Sequence, residues 1–347
     1  MAYTTINKSG SHFKAKIYTG NGSTNTAQTG VGFQPDWTWI KERSSTSSNI
    51  LTDAVRGANK SLSSNLTSAE STETQSLISF DSDGFTVGSG GGVNENSQKY
   101  VSWNWKANGQ GSANTDGSTN TTYTSANTTA GISIVKWTPS GSAETVGHGL
   151  GAVPKVIITK NLGASQGWFT YHHSIGNTKY LLLNDTAVEA TDSTAWNNTT
   201  PTSSVFSVGS QFGGNPYIAY CFAEKIGFSK FGLYEGNDNV DGPFVYTGFK
   251  PAFIMLRGKG IARNWTNWDN ARDIYNPLWN YIYPNLSSTG TNITPGSNGS
   301  FAIDFCSNGF KLRNTDDKFN GSGQGYIYMA FAEAPLVGSN NVPCTAR

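Results

Sequence analysis

The same punctuation returns three times along this chain, and a recurring unit limits the fold more than any single segment does. Three segments open alike: Gly32-Phe33-Gln34-Pro35, then Gly149-Leu150-Gly151-Ala152-Val153-Pro154, then Gly248-Phe249-Lys250-Pro251. In each, a basic residue stands six positions after the proline: Lys41, Lys160 and Arg257. The residues between alternate as a strand does, with Trp37 and Trp39 answering to Val156 and Ile158 and to Phe253 and Met255. A proline suits the first residue of such a strand, where its missing N–H breaks no ladder bond.

A second landmark closes each unit. Tyr100-Val101-Ser102-Trp103-Asn104-Trp105 aligns with Tyr217-Ile218-Ala219-Tyr220-Cys221-Phe222 and with Tyr326-Ile327-Tyr328-Met329-Ala330-Phe331. Residues two apart share a face, so Trp103, Tyr220 and Met329 are expected at equivalent core positions, with the other face mixed as in a half-buried sandwich strand. Between these landmarks Asp53 precedes Asn65 by twelve residues and His172 precedes Asn184 by twelve; Asp269 precedes Asn285 by sixteen, which implies a four-residue insertion. Asp83-Gly84 and Asn308-Gly309 mark equivalent hairpins, as pairs favoured where both turn residues need positive φ. These patterns predict an all-β chain of three tandem jelly-roll or β-sandwich repeats at 13–106, 131–225 and 228–334. The short join between the second and third implies close docking. Residues 107–130 are almost all Gly, Ser, Thr, Asn and Ala. They read as a flexible linker or an exposed hairpin arm, and the linker is the expectation. Residues 335–347 read as an exposed tail, and residues 54–69 as the one place for a short helix or turn.

Composition removes several functions. Charged residues are only 14% of the 347, with a net charge of +1, so the basic surplus of a nucleic-acid binder is absent. No apolar run reaches the ~20 residues of a membrane helix, and the first residues lack the apolar core of a secretory signal. Three cysteines, an odd number, argue against a disulfide framework and for folding in a reducing cytoplasm.

No segment carries a convincing reactive motif, and the chain is not expected to be an enzyme or to need a cofactor or metal. Asp81-x-Asp83-Gly84 opens like a calcium loop but lacks its later ligands, and Glu235 to Gly242 is better read as a solvated turn. His172-His173 lacks zinc-motif spacing, and exchange with Asp53 and Asp269 at the same position suggests a hydrogen-bonding role at a strand end. Cys221 reads as a packing residue. Asp269 with Asp273, and Asp316 with Asp317, are the local carboxylate pairs a glycosidase would need across a groove. The segment from Asn264 to Tyr283 is rich in aromatics. Within it Arg272, Tyr275 and Trp279 are the candidate contact surface for a ligand or partner, Tyr275 and Trp279 lying in or beside the insertion.

The strings Ile17-Tyr18-Thr19-Gly20-Asn21-Gly22-Ser23, Gly30 to Lys41, Val55-Arg56-Gly57-Ala58, Ser79 to Gly88 and Tyr100 to Ala107 resemble the concanavalin-like jelly-roll modules of tailed-phage virion proteins, especially those of marine bacteria. The resemblance covers residues 13–107 well and weakens beyond them. It implies a jelly-roll fold and a place on the virion, in a tail fibre or tail tip contributing to host attachment, or as a capsid decoration or head fibre. The partners expected of a virion part are other virion proteins and, by symmetry, further copies in a homo-oligomer; a host surface glycan is the partner of the glycan-binding alternative, and composition argues against nucleic acid and membrane insertion. The resemblance brings no catalytic residues with it. A glycan-binding module is the alternative, and a polysaccharide depolymerase a more distant one.

Overall fold

The alternating segments become strands, and the bulky side chains at their inward positions decide how those strands stack. The computed structural model describes residues 4–292, 302–338 and 343–344. The chain is all-β, in several sheets packed as sandwiches. Helical turns among the described residues are confined to Ser9–Ser11 and Gly91–Asn94. None is long and apolar enough to cross a membrane.

Three large antiparallel sheets share one strand order. In the first, Phe13–Thr19, Lys99–Trp105, Trp37–Glu42, Ile50–Asp53, Lys60–Ser63 and Ser71–Thr72 lie side by side. In the third the same sequence of neighbours is Ser229–Glu235, Gly325–Pro335, Phe249–Gly258, Thr266–Asp269, Asn280–Ile282 and Thr291–Asn292. The second runs Ile132–Trp137, Tyr217–Phe222, Val156–Asn161, Phe169–His172, Lys179–Leu182 and Ala190–Thr191, and adds Tyr123–Asn127 at its first edge. The register is equivalent in the three sheets: Trp39 faces Trp103, Ile158 faces Tyr220 and Met255 faces Met329.

A smaller sheet covers the outer face of each large one. These are Thr26–Thr29 with Gly84–Val87 and Leu77–Asp81, then Glu144–Gly147 with Val205–Val208, then Phe244–Tyr246 with Gly309–Leu312 and Ile303–Cys306. Phe33, Leu77 and Phe85 fill the first outer core, and Trp137, Phe206 and Phe212 the second.

The inner faces do something the alternation does not reveal. Trp103, Tyr220 and Met329 are 0%, 0% and 3% exposed, and all three belong to one core made by all three units. Trp37 stacks on Tyr220 at 4.3 Å, Trp105 meets Phe253 at 5.8 Å, and Phe222 meets Phe331 at 5.8 Å. The three sandwiches therefore bury their large sheets against one another. Trp37–Glu42, Val156–Asn161 and Tyr217–Phe222 are buried along their whole lengths, not on one face as a free-standing sandwich would have it. Close docking is thus common to all three units.

Several local expectations change. Residues 107–130 are no free linker: Asp36 accepts the N–H groups of Ala107 and Gly109, and Tyr123–Asn127 pairs with the strand that follows. The polar composition reflects turns and an edge strand, where small side chains fit. Of the short helix or turn expected in residues 54–69 it is the turn that forms, and the strand Lys60–Ser63 follows it. Pro35 and Pro154 stand two residues before their strands, while Pro251 lies inside one at a bulge. Gly84 opens a strand and the turn falls on Ser82 and Asp83; glycine is needed at 84 because a Cβ there would lie 2.0 Å from the Gln28 carbonyl oxygen. In the tail, Val337 bridges to Pro343; residues 339–342 and 345–347 lie outside the described residues.

Candidate functional site

Buried strand ends need hydrogen-bond partners, and in this chain the repeated polar residues find theirs in the next unit. Lys41 Nζ donates to the Ser287 carbonyl at 3.2 Å, Lys160 Nζ to that of Thr67 at 2.7 Å, and an Arg257 Nη2 to those of Thr186 and Ala187 at 2.6 Å. Burial depresses all three, Lys41 and Lys160 to about 8 and Arg257 to about 10. Asn49 Nδ2 donates to the Leu286 carbonyl, Trp168 Nε1 to those of Ser63 and Leu66, and Trp265 Nε1 to that of Leu182. The matched asparagines hold these residues from behind: Asn65, Asn184 and Asn285 accept the backbone N–H of Asn49, Trp168 and Trp265. First unit reaches to third, second to first, third to second. The ring closes.

The exchange of Asp for His also has its reason at these seams. Asp269 Oδ2 accepts Trp103 Nε1 at 2.9 Å, and Asp53 Oδ2 accepts the Tyr220 hydroxyl at 2.7 Å. In the third unit the equivalent residue is Met329, which has no proton to give, so an acid opposite it would be left unpaired. His172 instead accepts the Ser174 N–H at Nδ1, which leaves its proton on Nε2 for the Tyr328 carbonyl at 3.2 Å. Burial, with His173 stacked at 5.1 Å, lowers His172 to about 3. A histidine kept neutral when folded but protonated near 6.5 when unfolded contributes stability above pH 6.5 that is lost as pH falls toward 3. In urea melts, His172→Asn is expected to lose about 2 kcal/mol less than the parent between pH 7 and pH 5. Equal losses would contradict this role.

The three residues of the expected contact surface part company. Tyr275 is 74% exposed, beside the exposed Ile274. Trp279 is half-buried against the core. The Arg272 side chain is 2% exposed, its Nε 2.6 Å from Asp269 Oδ2 and its Nη2 donating to the Asn267 carbonyl. It is the counterpart of Arg56, which binds Asp53 and the Leu51 carbonyl in the same way. The shared spacing Asp53-x-x-Arg56 and Asp269-x-x-Arg272 was the signal for that framework role. Arg272 also borders an open cleft of about 260 Å³ with Arg43, Lys99, Ser44, Asn280 and Gly290, residues the sequence reading did not single out.

The remaining candidates are occupied structurally. Asp83 accepts the Gly30 and Gly32 N–H groups, which lower its pKa, and Asp81 accepts the Ser79 and Thr86 hydroxyls. In the Glu235 to Gly242 loop, Asp241 pairs with Lys311 at 2.7 Å. Asp317 is held by Arg263, and Asp273 accepts the N–H groups of Trp279 and Asn280. Cys221 lies in the second outer core, where burial raises its thiol pKa. Among the described residues no group of three or more His, Cys, Asp or Glu side chains is placed to hold a metal ion.

A family model described as a domain of unknown function (DUF7483) matches residues 8–335 in one stretch that spans all three units. No curated protein matches the sequence.

Proposed function

We propose that this chain, which belongs to that family, is a structural protein of a tailed-bacteriophage particle, displayed on the surface as a tail-fibre or tail-tip component that contributes to host attachment. The observation that carries the reading is the closed ring of seams. Lys41, Lys160 and Arg257 each lock one unit to a loop of the next, so the three sandwiches make one stiff block. Such a block suits display and assembly in several symmetric copies with other virion proteins. The likeness of residues 13–107 to phage jelly-roll modules supports the same place.

Immunogold labelling of purified particles from a lysate that encodes the chain tests it. Gold at the tail end is the expected result; gold over the capsid lattice would move the protein to a head decoration or head fibre, and unlabelled particles would overturn the proposal. A glycan-contact role has its own support in the exposed Tyr275 and in Tyr246, which is 55% exposed beside an open cleft of about 370 Å³. Loss of glycan-array or host-cell binding in Tyr275→Ala or Tyr246→Ala would favour it.

A further inference from the structure

The seams follow one plan, yet one of them lacks a carboxylate that the other two contain. Between the first and second units, Glu70 stands just before the strand Ser71–Thr72, and its N–H donates to the Leu162 carbonyl. Its carboxylate lies 3.2 Å from Arg56 Nη1 and 3.8 Å from Lys60. Between the second and third units, Glu189 precedes Ala190–Thr191, its N–H donates to the Lys259 carbonyl, and its carboxylate meets Lys179 at 2.6 Å and Lys259 at 3.6 Å. Between the third and first units the same place, before Thr291–Asn292 and bonded to the Arg43 carbonyl, belongs to Gly290. The carboxylate has gone. The cations have not.

Arg272 keeps the bonds of its counterpart Arg56 to an aspartate and to a backbone carbonyl, and Nη1, the group that takes Glu70 in Arg56, makes no hydrogen bond among the described residues. Arg43, the counterpart of Lys259, makes no side-chain hydrogen bond or ion pair among the described residues, and its Nε is buried without an acceptor. Burial and the like charge of Arg272 lower its pKa, against the opposite pull of Asp269 and Asp273. Lys99 adds a third cation at the rim of the cleft. The nearby Asp273 is spent on Trp279 and Asn280, and Asp269 on Trp103 and Arg272. Residues 291–301 contain no Asp or Glu.

We propose that this cleft between the third and first units binds an oxyanion, a carboxylate, sulfate or phosphate group, in the place that Glu70 and Glu189 fill at the other two seams. Two guanidinium groups facing one space match the planar, two-oxygen edge of such a group, and hydrogen bonds to charged acceptors are the stronger class. The site does not depend on where the protein resides.

The test uses the full chain, with sodium sulfate as the probe and chloride of matched ionic strength as the control, read by titration calorimetry. Gly290→Glu returns the missing carboxylate; a Cβ at that position meets nothing nearer than 3.6 Å. Arg43→Leu installs the residue that the first seam already has at Leu162. Sulfate is expected to bind the parent, and each variant to weaken it by about tenfold or more. Gly290→Glu is also expected to melt higher than the parent without sulfate, a readout that separates a filled site from a damaged fold. Equal sulfate binding in all three proteins, or a parent that prefers sulfate no more than chloride, would overturn the proposal. Dextran sulfate against plain dextran then distinguishes the source. Polymer binding lost in both variants supports an anion carried on a polysaccharide, and sulfate binding without polymer binding supports a free anion.

Discussion

Asp53→Ala is expected to cost about 3–5 kcal/mol, the range for removing one partner of a buried ion pair. Asp53 is buried, and its two oxygens accept three hydrogen bonds: from the Arg56 N–H at 2.9 Å, from Arg56 Nε at 2.5 Å and from the Tyr220 hydroxyl at 2.7 Å. Burial alone would lower the Arg56 pKa, but Asp53, Tyr220 and Glu70 together raise it above its ordinary value. Without Asp53 the guanidinium keeps only Glu70 and the Leu51 carbonyl in a site closed to water. Tyr220→Phe removes one neutral donor to the same oxygen and is expected to cost only about 1–2 kcal/mol. Chemical denaturation of the two variants would check the ordering. Similar small costs for both would mean that this seam does not hold the units together.

Trp105→Ala is expected to lose about 3–5 kcal/mol, the cost of emptying a tryptophan-sized site in a packed core. Trp105 stacks on Trp37 at 4.3 Å within its own unit and meets Phe253 and Phe331 of the third at 5.8 and 5.6 Å. Its indole N–H has no acceptor among the described residues, so the ring matters for its volume and faces. Trp105→Phe keeps most of that volume and should cost far less. Because Trp37 in turn stacks on Tyr220, a hole at Trp105 borders side chains that serve all three units.

Much of this arrangement was legible in the sequence, and the limits have physical causes. Period-two alternation told correctly that Trp103, Tyr220 and Met329 share a face, since side-chain direction follows from backbone geometry alone. It could not tell what covers that face, because a sandwich's own partner sheet and a neighbouring unit ask for the same bulky residues. The exchange of Asp53, His172 and Asp269 pointed to a hydrogen-bonding place at a strand end, and that is where they lie. Their partners were hidden, being 156 to 167 positions away in the chain. Arg272 reads as a contact residue from its aromatic neighbours alone, whereas the Asp-x-x-Arg spacing it shares with Arg56 marks it as framework. Gly290 stands five positions after Asn285, as Glu70 does after Asn65 and Glu189 after Asn184, but a glycine in a polar stretch resembles any turn and does not by itself signal a missing carboxylate. The short strands that follow Glu70, Glu189 and Gly290 place the three alike at their seams.

Differential scanning calorimetry of the parent and of Trp105→Ala asks most directly whether the three sandwiches are one folding unit. A shared core and a closed ring of seams should give one endotherm whose calorimetric and van't Hoff enthalpies agree, displaced as a whole to lower temperature in the variant. Two or three separable endotherms, with only the one belonging to the first unit moved by the substitution, would contradict a common core.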